Sequence, residues 1–243
     1  MRRELTDIAF AEWVVYVFDH PTSDSGIPKW ASRSEALIDR PWYLESDSDW
    51  WDSSRQPEVT VAYLTNLFEN APHVLTPFSD AQIHQGFNFL VNNLYSAHML
   101  VLFNPAVPWS ERKHCISSLY TLFERFFAPR CFSHLSHLDI SEVSPLNGMC
   151  YMWWDMLHYY GNPADPDGAE VGAACLEVKQ MTLDLDSDAC RESALHGLSH
   201  WQYAYPQHMQ AIQTIIDEFL DRHPGLRPEL KAYARTARKG LVL

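Results

Sequence analysis

The chain has 243 residues, of which 47% are hydrophobic and 13% aromatic, enough for a large core and too apolar for a chain disordered throughout. Its formal net charge of -13 would repel a polyphosphate, so nucleic acid is excluded as a partner and a basic protein is favoured. Nine glycines against 15 prolines argue against a β-rich fold, and the expected class is all-α.

In chain order, residues 1–56 form an irregular part with one buried helix. Ile8 to Phe18 is apolar on nearly all sides and predicts that helix, although Val14 to Phe18 also has the composition of a strand. No apolar leader follows Met1, and the longest apolar run, Trp13 to Phe18, is far too short to span a bilayer, so a soluble, cytoplasmic protein away from membranes is expected. His20 to Gln56 is rich in Ser, Asp, Pro and Trp, with one short helix predicted around Ser34 to Ile38. Its strip Asp47, Asp49, Trp50, Trp51, Asp52 sets carboxylates around two tryptophans, the composition of a hot spot for a basic partner. The alternative is that both tryptophans fold back onto the core.

Residues 57–160 read as helical. Pro57 opens a helix that Pro72 should end. Ser79 with Gln82 forms a capping box, and Phe78 with Ile83 a hydrophobic staple. The stripe Ile83, Phe87, Leu90, Leu94, Ala97, Val101 predicts one helix closed by Asn104-Pro105. Ser110 opens the next, with Cys115, Leu119, Leu122, Phe123 and Phe126 inward. Asp139 to Asn147 is a connection, and Met149 to Tyr160 is a short, centrally buried helix ended by Gly161 and Pro163.

Residues 167–240 hold the most regular pattern, four helices joined by short turns and so antiparallel to their neighbours. Asp167 with Glu170 is a capping box, Ser187 a second N-cap, Tyr205-Pro206 opens a third helix, and Pro228 and Gly240 bracket the fourth. The whole chain is expected to be one domain of stacked antiparallel helical hairpins, an irregular α-solenoid or a helical bundle.

The string Cys190-Arg191-Glu192-Ser193-Ala194-Leu195-His196-Gly197-Leu198-Ser199-His200-Trp201 resembles one helix of a HEAT-like repeat. Cys190, Ala194, Leu198 and Trp201 share one face, and Ala194 and Gly197 permit close approach of a neighbouring helix. The resemblance implies stacked helices and a partner-binding surface. In profile the acidic helical chain is also similar to immunity proteins of secreted toxins, which implies a protein that blocks a toxin's active site.

Chemistry-bearing residues are sparse. No GxSxG and no glycine-rich phosphate loop occurs, so an enzyme is not expected and no cofactor is implied. Among 12 histidines, Glu192, His196 and His200 at i, i+4, i+8 could share a metal, or form a polar face that meets a partner. A metal-dependent enzyme or sensor built on those three is the alternative function. Cys131, His134 and His137 form a second, incomplete zinc pattern. Five cysteines without a CxxC pair, among them Cys190 near a helix start, read as buried free thiols of a reducing compartment.

Overall fold

The burial of Trp13, Val14, Val17 and Phe18, with Val15 exposed, follows the 3.6-residue period of a helix and not the alternation of a strand. Phe10–Phe18 is accordingly helix α1. The structure, a computed structural model, describes residues 4–22, 41–45, 49–138, 144–157 and 166–242; the helix predicted around Ser34 to Ile38 lies outside them. Among the described residues the further helices of more than one turn are α2 (Pro57–Val74), α3 (Asp80–Val91), α4 (Trp109–Leu122), α5 (Pro145–Met156), α6 (Gly168–Leu183), α7 (Asp188–Ala204), α8 (Met209–Arg222) and α9 (Pro228–Arg238). Among the described residues there is no strand, only an isolated bridge between Glu4 and Trp50. The fold is all-α, and no described helix is long and apolar enough to cross a membrane.

Several helix ends follow the caps in the sequence. The Ser79 hydroxyl accepts the Gln82 N–H, while the Gln82 side chain accepts the Ser79 N–H at 3.0 Å. Phe78, the staple residue, sets its ring 5.7 Å from Phe18 and so ties α3 to α1. Ser187 caps α7 through the Cys190 N–H. Gly240 takes φ +69, and Leu241 N–H bonds back to Thr236 O, which closes α9 in the left-handed conformation that glycine adopts at little cost.

Several boundaries differ from expectation. α5 starts at Pro145, inside the predicted connection Asp139 to Asn147, and Pro206 opens a 3-10 turn, Pro206–His208, before α8. Pro72 lies inside the last turn of α2, which runs to Val74. The stripe from Ile83 to Val101 is two pieces: α3 stops at Val91, and a 3-10 turn, Met99–Phe103, carries the rest. The break is local chemistry, because Asn92 Oδ1 accepts the Leu94 N–H at 3.0 Å and pulls the chain out of the helix, leaving Leu94 86% exposed. α4 starts at Trp109 and passes into a π turn, Phe123–Phe127, that buries Phe123, Phe126 and Phe127 together. Asp167 does not cap α6 with its side chain. It pairs with Arg112, whose side chain is fully buried and also donates from Nε to Val107 O at 3.0 Å. A buried guanidinium without a counter-charge would cost more than a missing cap.

The helices stack as a chain of neighbours. α1 packs on α3, α3 on α5, α5 on α7, α7 on α6 and α9, α6 on α4, and α4 on α2. α5 is central and buried as predicted: the Trp153 ring meets those of Phe68, Phe87, Phe123 and Phe127 at 5.3–6.0 Å, in edge-to-face geometry. Its predicted stops, Gly161 and Pro163, lie outside the described residues. Cys190, Ala194, Leu198 and Trp201 are buried, as is most of α7. A Cβ on Gly197 would fall 2.5 Å from Trp154 Cβ, so only glycine lets α5 and α7 come this close.

Candidate functional site

The acidic tryptophan strip of the irregular N-terminal part lines a cavity of about 160 Å³. Its wall comes from α1 (Tyr16), the turn Trp42–Leu44 (Trp42, Tyr43), Asp49 to Ser53, the end of α3 (Phe89) and the connection after it (Tyr95). The break at Asn92 is what brings Tyr95 here; had α3 continued, that residue would have been carried along the helix axis. The Ser96 hydroxyl donates to Phe89 O at 2.6 Å and fixes the connection. Tyr43 receives a bond from Asn88 Nδ2 at 3.0 Å and lies 4.7 Å from Tyr95 and 5.4 Å from Phe89. Burial pushes the Tyr43 phenol up, so it stays protonated. His20 stacks on Trp42 at 4.0 Å, and burial lowers its pKa, which favours the neutral ring.

The strip is divided by this geometry. Trp51 is buried rather than exposed: its indole sits between Trp13, Tyr63 and His98, and its backbone N–H donates to Tyr16 Oη at 3.3 Å. Adjacent residues point apart, so only half-buried Trp50 is left for the rim. Asp52 accepts the Ser54 N–H at 3.1 Å and pairs with Arg55 at 3.2 Å, which balances its charge. Asp49 is exposed. Asp47 lies outside the described residues. Trp42 carries a buried indole N–H with no bonding partner.

Chemically the wall is electron-rich and acidic. Aromatic faces carry negative potential, and seven aromatic residues with two carboxylates line the wall. At about 160 Å³ it is well below the roughly 300–1,000 Å³ of pockets for organic cofactors, and suits one side chain.

The second candidate set is rearranged. Glu192 is fully buried and accepts Ser136 N–H at 2.8 Å, His137 N–H at 3.1 Å and a contact from His137 Nδ1 at 2.5 Å. It anchors the 136–137 turn and neither faces a partner nor joins His196 and His200. His196 is 2% exposed, also too buried to meet a partner, and burial together with neighbouring His200 lowers its pKa to about 4. His200 is half-buried, with Nδ1 3.2 Å from an oxygen of Asp155 on α5. Asp155 therefore stands where Glu192 was expected. The signal for it was a lone carboxylate on an otherwise apolar helix. Cys131, His134 and His137 do not converge, since His137 is held by Glu192. Cys190 is buried against Phe123 O.

Comparison with protein-family models, with curated proteins and with solved structures returns no match to this chain.

Proposed function

We propose that this chain is a partner-binding scaffold that captures one cationic side chain, Lys or Arg, of a basic protein in the cavity rimmed by Asp49 and Trp50. The observation that carries the reading is the convergence of the acidic tryptophan strip with Tyr16, Trp42, Tyr43 and Tyr95 on one concavity. A desolvated cation over an aromatic face gains ~2 kcal/mol, and several faces act together here. The net charge of -13 adds long-range steering of a basic partner. A toxin with Lys or Arg at its active site has this chemistry, and an immunity protein that blocks such a site is the specific form of the proposal.

The test is fluorescence polarisation with a labelled Lys/Arg-rich peptide and its Glu/Asp counterpart. The basic peptide should bind with an affinity that falls as salt rises, and the acidic one should not. Trp50→Ala should weaken binding about tenfold. Equal binding of both peptides, or an unchanged affinity in Trp50→Ala, would overturn the reading.

A further inference from the structure

Away from the cavity, α5 and α7 bring together three side chains that the proposed cation capture does not use. Asp155 projects from α5, and His196 and His200 from successive turns of α7. One ligand atom from each lies within 4.8 Å of those from the other two, the one such group of three among the described residues. The two imidazole rings are 4.4 Å apart. The Nε2 atoms of both His196 and His200 are buried without a hydrogen-bond partner. An orphaned buried polar atom costs about 1–3 kcal/mol, so two on adjacent turns of one helix call for an explanation.

The surroundings orient His196 as a ligand would be oriented. Its Nδ1 lies 3.0 Å from Tyr233 Oη on α9, and Tyr233 Oη lies 3.1 Å from Tyr151 Oη on α5. When Nδ1–H donates to Tyr233, Nε2 keeps its lone pair, which is how metal-ligating histidines are held by a second layer of hydrogen bonds. The Tyr233 ring is itself clamped by His137, stacked at 4.1 Å, and His137 is fixed by buried Glu192. Thus Glu192, expected among the ligands, instead supports their outer layer.

We propose that Asp155, His196 and His200 bind one divalent first-row transition-metal ion between α5 and α7. Two imidazoles and a carboxylate suit zinc and its neighbours better than calcium or magnesium, which prefer all-oxygen sites. Ligand atoms around tetrahedral zinc are roughly 3.4 Å apart, so the group must close by about an ångström. Asp155 and His200 retain partial exposure and can supply that movement by side-chain rotation. Three protein ligands leave a further position for water or an exogenous ligand. The site stands independently of the cation cavity.

The experiment uses the full chain without a histidine tag and Zn²⁺ as the probe, titrated in competition with a chromophoric chelator. Wild type should take up one Zn²⁺ per chain. His200→Ala and Asp155→Asn should each lose at least tenfold in affinity, whereas His114→Ala, which removes an exposed histidine elsewhere on the surface, should not. Absence of stoichiometric uptake by folded wild type, or equal affinity in all variants, overturns the proposal. Should the two site variants not fold, imidazole ¹⁵N resonances of wild type decide. Zinc-dependent shifts at the nitrogens of His196 and His200 support the site, and unshifted resonances at both overturn it.

Discussion

Lys179 offers a sharp test of how burial and aromatic contact compete in this core. Its side chain is fully buried on α6, with no hydrogen-bond acceptor for its amine. The nitrogen lies 4.0 Å from the centre of the Trp154 ring system and 3.3 Å from that of Trp201. Burial lowers its pKa from 10.5 to about 7. That shift corresponds to about 5 kcal/mol. The two indole faces favour the cation and act against burial. Burial is the larger effect, so the folded pKa stays below the unfolded one. The unfolded chain then holds more protons than the folded one between about pH 7 and about pH 10, and this residue makes stability rise with pH across that window. Below it, the full cost of the buried ammonium is present. Lys179→Met keeps the volume and removes the titration. Urea unfolding of both proteins at about pH 7 and about pH 9 should show wild type gaining up to ~3 kcal/mol relative to Lys179→Met. A difference that stays flat with pH would mean that the indoles hold the charge throughout, and would refute the reasoning.

Three further outcomes follow from the packing. Gly197→Ala gains up to ~1 kcal/mol of helix propensity but places a methyl group against Trp154; a net loss of about 2 kcal/mol in thermal unfolding is expected, and stabilisation would contradict the close α5–α7 contact. Glu192→Gln removes the charge that accepts two backbone N–H groups and His137, at a cost of about 3 kcal/mol in urea unfolding; amide exchange at Ser136 and His137 should accelerate, and unchanged protection would argue against the anchor. Asn92→Ala loses the bond that breaks the helix after Val91, about 1 kcal/mol, and should weaken the basic peptide by loosening Tyr95; full affinity would show that the break does not shape the cavity.

What the sequence made legible was local. Ser79, Ser187, Pro228 and Gly240 mark helix ends because a cap is decided by a few adjacent residues. Asn92 escaped notice because the apolar period continues past it, and the side-chain bond that stops α3 leaves no trace in a hydrophobic stripe. The acidic tryptophan strip was visible as composition, but its division was not. Trp51 turns into the core and Asp52 is matched by Arg55, and both depend on residues distant in the chain or in the turn. Arg112 and Lys179 belong to residue types that are almost never fully buried, yet both are, one against Asp167 and one between indoles. For the histidines, spacing along α7 identified His196 and His200 and selected Glu192, the carboxylate on the same helix. Asp155 comes from α5, and only the packing of two helices could supply it.

The central claim, recognition of a cationic side chain in the aromatic cavity, is tested most directly by following the protein's amide and indole resonances as methylguanidinium is added. The account predicts saturable shifts confined to Tyr16, Trp42, Tyr43, Asp49, Trp50 and Tyr95, with none when acetate is added instead. Shifts scattered over the acidic surface without saturation, or none at those residues, would contradict it.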